Sequence, residues 1–284
     1  MNQSQLRPLA HVLGVDIDAL NMESTLAHIA VMLHERRKGY VCLTGVHGVL
    51  EAQRSRQVAE AYGASELNLP DGTPLTWVGR LQGHSTMECV TGPDLMLEIF
   101  RRTEFAHVTH FFYGGAEGVA AELRDRLTRD FPSVRIVGAV MPPFHGLSCT
   151  EQDEFVATIA ELKPDIVWIG LGCPKQELFM SRYLPLLDTR LMFGVGAAFD
   201  FHTGRIRACA PWIKRAGLHW LHRLVQNPRR MWRRNLFIIP AFLWHITLQL
   251  TGLHRYPPQL ARKSEPHGLK PAESGQFEVA RKAP

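Results

Sequence analysis

The chain has 284 residues, of which 45% are apolar and 21% charged, with 32 Lys and Arg against 27 Asp and Glu. This is ordinary globular usage, which excludes a fully disordered or collagen-like chain; the length allows a large core that needs no disulfides. The five cysteines (Cys42, Cys89, Cys149, Cys173, Cys209) form no Cys-x-x-Cys pair, which argues against a disulfide framework or a zinc knuckle and fits a reducing compartment.

The first twenty residues lack a basic stretch followed by an apolar one, so no secretory leader is expected. Asp16-Ile17-Asp18 has the spacing of a metal-binding acidic pair but follows no mid-sheet strand, and a strand-edge or turn pair is expected there. From there the body alternates. Tyr40–Thr44 reads as a strand, 49–62 as a helix, and Glu66–Leu69 as a strand. Helices follow at 74–82 and 93–105, then a strand at His107–Tyr113 and a helix over 117–131. Ser133–Val140 is a strand and Glu151–Leu162 a helix; Asp165–Leu171 is a buried strand, Lys175–Leu186 a helix and Leu191–Val195 a last strand. Strands separated by helices of 10–15 residues predict an α/β fold, Rossmann-like, with a mostly parallel sheet flanked by helices. In such sheets ligands bind beyond the carboxyl ends of the strands.

The predicted strand ends are unusual. They carry Thr44-Gly45-Val46-His47-Gly48, Pro70-Asp71-Gly72, Gly114-Gly115, Gly170-Leu171-Gly172-Cys173-Pro174-Lys175-Gln176-Glu177 and Gly194-Val195-Gly196-Ala197-Ala198-Phe199-Asp200. Glycines let main-chain N–H groups approach a phosphate, and together these turns point to a nucleotide or sugar-nucleotide; tight turns alone are the plainer alternative. No G-x-G-x-x-G with a following acid and no G-x-x-x-x-G-K-[ST] occurs, so neither a nicotinamide site nor a P-loop is supported. Asp71 can be an ordinary Asp-Gly turn, or a carboxylate held where it takes a proton from a hydroxyl. The fourteen histidines show no tight metal-ligand spacing.

Charge is distributed unevenly. Residues 201–264 hold 12 Lys and Arg and no acid, whereas 1–200 hold 17 basic and 24 acidic residues. Such a segment seeks phosphate on nucleic acid, an anionic membrane or a phosphorylated ligand. Arg229-Arg230-Met231-Trp232-Arg233-Arg234 runs into 236–253, which carries no formal charge. That run is short for a membrane span and contains Pro240, so a helix lying in the membrane interface is expected, with Trp232 and Trp244 near the headgroups. The alternative is a C-terminal helix packed on the core. The organisation expected is a catalytic core over 1–204, a basic membrane-associating appendage over 205–254 and a disordered tail over 255–284.

Leu69-Pro70-Asp71-Gly72, Thr91-Gly92-Pro93-Asp94, Phe112-Tyr113-Gly114-Gly115, Pro174-Lys175-Gln176-Glu177, Gly194-Val195-Gly196-Ala197-Ala198-Phe199-Asp200, Ala210-Pro211-Trp212, Gly217-Leu218-His219-Trp220 and Pro228-Arg229-Arg230 occur in order. In this the chain resembles the WecG/TagA/CpsF glycosyltransferases (glycosyltransferase family 26) over about residues 10–245. The resemblance implies an inverting, metal-independent enzyme without cofactors that moves a hexose-type sugar (glucose, N-acetylmannosamine or its uronic acid) from a UDP-sugar to a polyprenyl-diphosphate-linked saccharide. It further implies that the polymer is an exopolysaccharide or envelope polymer, and that the enzyme is cytoplasmic and peripheral on the inner face of the cell membrane. Asp71 matches the family's base. Gln176 and Asp200 match positions of nucleotide-sugar handling, the other strand-end residues Thr44, His47, Gly72, Gly114, Gly115, Gly170, Gly172, Pro174, Lys175, Glu177 and Gly196 are expected on the donor side with them, and Arg223, Arg230 and Arg233 match appendage arginines that hold the diphosphate. Nucleic acid is not expected as a partner; self-association through the appendage's apolar face is. Two positions depart from the pattern, Gly45 where asparagine is frequent and Cys89 where arginine is frequent, and both bear on sugar recognition. The competing readings are a soluble nucleotide-dependent enzyme such as an epimerase or dehydrogenase, whose fingerprint is missing, and a non-catalytic membrane or nucleic-acid module, which leaves Asp71 idle.

Overall fold

The computed structural model describes residues 7–143, 147–207, 209, 210, 213, 219–226 and 228–258, with the backbone alone at 219, 220, 222, 223 and 228–235. The expected tail lies outside the described residues from 259 onward, and so do Pro211-Trp212 and Gly217-Leu218. The chain opens with a hairpin that the sequence reading missed, β1 (Leu9–Val12) against β2 (Val15–Asp18), followed by α1 (Met22–His34). Then come β3 (Gly39–Thr44), α2 (Val46–Arg54), α3 (Arg56–Gly63), β4 (Leu67–Pro70), α4 (Thr73–Leu81) and α5 (Gly92–Arg101). The body continues with β5 (Thr109–Gly114), α6 (Val119–Asp130), β6 (Arg135–Val140), α7 (Cys149–Leu162), β7 (Ile166–Gly170), α8 (Lys175–Tyr183), β8 (Leu191–Gly194) and α9 (Ala198–His202). Two further helices are α10 (His219–Gln226) and α11 (Pro228–Leu250).

Strands β3 to β8 make one sheet in the order β4-β3-β8-β7-β5-β6, every pair parallel. Alternation along each strand builds two cores. Tyr40, Cys42, Phe111, Tyr113, Val167, Ile169 and Met192 face one layer, with α2, α3, α7, α8 and the hairpin. Val41, Leu43, Leu67, Leu69, Phe112, Trp168 and Phe193 face the other, with α1, α5, α6 and α9. A sheet covered on both faces explains why its strands read as continuous apolar runs.

The differences from the sequence reading have local causes. The helix expected over 49–62 is two helices, because Ser55 takes extended backbone and its hydroxyl accepts the Val58 N–H at 3.4 Å to start α3. The acidic pair, by contrast, lies as expected in a strand edge, in β2 of the two-stranded hairpin, and is occupied by protein partners. Asp16 contacts the His11 ring at 2.5 Å; Asp18, wholly buried, accepts the Asn68 N–H at 2.7 Å and pairs with Arg7.

The C-terminal run packs on the core, as its alternative reading had it, and keeps one side exposed. Pro240 lies inside α11 without ending it. Phe242 and Ile246 are buried in the core, and Gln249 clamps the hairpin turn, accepting from the Leu13 N–H and donating to the His11 carbonyl, each at 2.7 Å. The opposite side leaves Leu236, Phe237, Leu243, Trp244 and Leu250 exposed at helical spacing. No helix among the described residues is long and apolar enough to cross a membrane.

One buried group sets a pH limit on the fold. His110 lies inside the sheet and accepts the Trp168 indole N–H at 3.2 Å on Nδ1, which requires the neutral ring. Burial pushes its pKa down to about 3. A folded pKa below the unfolded one means the stabilisation is complete above about 6.5 and is lost as pH falls toward 3, at up to roughly 1.4 kcal/mol per pH unit. We expect His110→Gln to remove one proton's worth of that acid slope in denaturant titrations run from pH 7 to pH 4; a slope equal to wild type would refute this origin.

Candidate active site

The parallel register carries the ends of β3 and β4 out side by side, Thr44 opposite Pro70. The chain then turns sharply. The Asp71 N–H donates to the Thr44 carbonyl at 2.8 Å and the Val90 N–H to the Pro70 carbonyl at 2.9 Å. Gly72 has φ +127°, which a side chain would strain, so Asp71 can be presented here only ahead of a glycine. A Cβ on Gly45 would stand 3.1 Å from the Asp71 carbonyl oxygen. The first departure from the family pattern therefore lets the two strand ends close together. The second departure lies in the same place: the Gly72 N–H donates to the Cys89 Sγ at 3.1 Å. Asp71 is half-buried, Thr44 is fully buried with no hydrogen-bond partner for Oγ1 among the described residues, and His47 lies in the first turn of α2, 3.8 Å from Glu51.

Next along the same edge are the ends of β8, β7 and β5. Gly114, at φ +132°, lies so close to Gly170 that a Cβ would come within 2.7 Å of its main chain. The Gly115 N–H donates to the Gly170 carbonyl at 3.1 Å. Gln176 laces the β7 and β8 turns together. Its Oε1 accepts from the Gly172 N–H at 3.2 Å and the Gly196 N–H at 2.9 Å, while Nε2 donates to the Gly194 carbonyl at 2.9 Å and the Glu177 carboxylate at 3.0 Å. With its amide so committed and only 3% exposed, Gln176 shapes the glycine turns rather than reaching outward. Beneath it Glu177 is fully buried among Tyr62 and Cys173, and burial pushes its carboxyl up toward the neutral form. Tyr62 Oη and Cys173 Sγ lie 3.7 Å apart, and burial raises both of these groups too. Lys175 is exposed at the start of α8, and Asp200 is half-buried in α9.

The helices that follow β3, β4, β5, β7 and β8 share a feature. Their N-caps are Gly45, Gly72, Gly118, Pro174 and Ala197, and none offers a side-chain hydrogen bond to the first turn. Elsewhere α1, α3, α5 and α7 are capped by Asn21, Ser55, Thr91 and Ser148. Main-chain N–H groups at open helix starts, with the helix dipole behind them, suit an anion.

All fourteen core residues singled out in the sequence thus lie on, or just beyond, one edge of one sheet. Arg223 falls in α10 and Arg230 and Arg233 in α11, but their side chains lie outside the described residues. Within the appendage the Gln226 amide donates to the Arg207 carbonyl at 2.9 Å and accepts from its N–H at 3.1 Å, while Gln249 ties the appendage to the hairpin of the core. Sequence reasoning missed the contact of Cys89 with Gly72 and the Tyr62–Cys173–Glu177 cluster. The only signal for the first was the unusual residue two positions before Thr91.

A family model for the WecG/TagA/CpsF glycosyl transferases matches residues 10–256. Two curated relatives carry the name N-acetylglucosaminyldiphosphoundecaprenol N-acetyl-beta-D-mannosaminyltransferase. One, from Bacillus spizizenii strain W23, is 29% identical over 245 residues, 85% of this chain and 92% of its own length. The other, from Bacillus subtilis strain 168, is 28% identical over 188 residues, 66% of this chain and 71% of its own length.

The lacing role of Gln176 has a measurable consequence. Gln176→Met keeps the volume but strands the Gly194 carbonyl and both glycine N–H groups, which should cost roughly 2 kcal/mol in urea unfolding. A variant as stable as wild type would show that the amide does not hold these turns.

Proposed function

This chain belongs to the WecG/TagA/CpsF family of glycosyl transferases, and we propose that it transfers a sugar from a UDP-sugar to a saccharide held on a polyprenyl diphosphate, with Asp71 as the base. One observation carries the reading: Asp71 stands at the end of β4, on the same edge as the five helix starts that lack side-chain caps. A base and an anion-binding rim placed together are what a displacement at a sugar diphosphate needs. The names of the two relatives supply the acceptor class, a sugar on diphosphoundecaprenol, and N-acetylmannosamine as the first donor sugar to test.

In the proposed step Asp71 takes the proton of the acceptor hydroxyl as its oxygen attacks the anomeric carbon. The bond from that carbon to the diphosphate oxygen breaks, and its electron pair leaves with UDP. A single displacement inverts the anomeric configuration. Charge growing on the leaving diphosphate is met by main-chain N–H groups at the uncapped starts of α8 and α9, beside the turns that Gln176 holds, and by Arg223, Arg230 and Arg233 of the basic segment. Thr44 and His47 flank the incoming groups from the β3 side.

The acceptor's lipid never leaves the bilayer, so the enzyme must come to it. We assign that contact to the outward side of α11, where Leu236, Phe237, Leu243, Trp244 and Leu250 are exposed and the arginine run precedes them. This seat faces the cytoplasmic side of the membrane in the proposal. Because Phe242 and Ile246 also help close the core, removing the helix would damage the fold, and charge on its outer side is the cleaner probe.

Two experiments test the reading. A panel of UDP-sugars offered with an N-acetylglucosaminyl diphosphate lipid should reveal a transferred sugar, and Asp71→Asn should cut turnover by roughly 10³-fold while leaving UDP affinity within about twofold. Near-normal turnover by that variant would overturn the base assignment. The double variant Leu243→Glu/Trp244→Glu should fold normally yet lose sedimentation with vesicles containing anionic lipid; undiminished vesicle binding would exclude α11 as the seat.

A further inference from the structure

The segment between α4 and α5 is a strap laid across the end of β4. The Glu88 N–H donates to the Leu20 carbonyl at 3.1 Å and the Val90 N–H to the Pro70 carbonyl at 2.9 Å. Those two bonds pin the residues on either side of Cys89. The exposed Cys89 is thereby held with its Sγ 3.1 Å from the Gly72 nitrogen, which donates its N–H to the sulfur. Gly72 is the residue whose freedom the turn exploits, since its φ of +127° comes without the guidance a side chain provides. The Gly72 main chain is therefore fixed by its bonding: its carbonyl accepts from the Leu75 N–H at 3.2 Å, and its N–H goes to Cys89. Asp71, one residue earlier, donates its own N–H to the Thr44 carbonyl at 2.8 Å.

From this we infer that Cys89 is a positioning residue: by accepting the Gly72 N–H it sets the angle at which the turn presents Asp71. The inference rests on Asp71 being the base. Sulfur is a weak, polarisable acceptor, so the tie orients the turn without locking it. It also places a thiol, where the family pattern has a long cation, against the main chain of the catalytic turn. Loss of the acceptor frees the Gly72 N–H and widens the range of Asp71 orientations, which lowers the fraction aligned for proton removal and leaves the donor-binding turns of β7 and β8 as they are.

The test compares Cys89→Ala with Cys89→Ser, whose hydroxyl again offers an acceptor. Hydrogen–deuterium exchange over residues 69–75 in the full chain should speed up about fivefold in the alanine variant and return toward wild type in the serine variant. With UDP-N-acetylmannosamine and an N-acetylglucosaminyl diphosphate lipid, kcat should fall about tenfold in the alanine variant, donor KM should stay within about twofold, and serine should recover most of the loss. Wild-type exchange in Cys89→Ala, or a serine variant no better than alanine, would overturn the inference. Asp71→Asn serves as the separate control. Turnover in that variant would refute the base reading itself, whereas an inactive Asp71→Asn beside a Cys89→Ala variant with wild-type exchange and kcat would refute the role of Cys89 alone.

Discussion

The site depends on one constraint, the parallel pairing of β4, β3, β8, β7 and β5. Because each strand runs in the same direction, each delivers its last residue to the same edge. Residues as distant in the chain as Thr44, Asp71, Gly114, Gly170 and Gly196 become neighbours along a single rim without any contact designed to gather them. What remains for local chemistry is to bend each exit correctly, and the glycines, the capless helix starts and the Gln176 amide do that.

The inner strands of the sheet were legible in the sequence because both their faces are covered. Ile166–Ile169 and Leu191–Phe193 had to be apolar, and runs of that kind bounded by Gly and Asp are hard to read otherwise. The hairpin was not legible. Its two strands are four residues each, too short for alternation to register, and their pairing is held by tertiary contacts from Gln82 and Gln249 that lie far off in the chain. The break at Ser55 was hidden because helix-favouring residues flank it on both sides. On α11 the sequence offered two readings for one helix, since an apolar run gives no sign of which side meets protein and which meets solvent until the core is built.

The candidate site divides in the same way. Motifs that need glycine, or an aspartate between proline and glycine, could be recognised from residue types alone. Roles that depend on a main-chain partner could not. Gln176 stood out as part of a Pro-Lys-Gln-Glu string, yet its work is done on Gly172, Gly194 and Gly196, which only the pairing of β7 with β8 brings within reach. Glu177, a donor-side residue by the same string, is fully enclosed, with Tyr62 of α3 and Cys173 of the β7 turn beside it. The polar cluster under the rim thus supports the turns from behind.

Pro240 sits on the exposed side of α11, midway along it. It has no N–H, so the Leu236 carbonyl lacks the usual donor four residues on. An unpaired carbonyl is cheap beside water and costly in hydrocarbon. On the proposed membrane seat this ring therefore favours a helix whose outer side keeps contact with the hydrated headgroups.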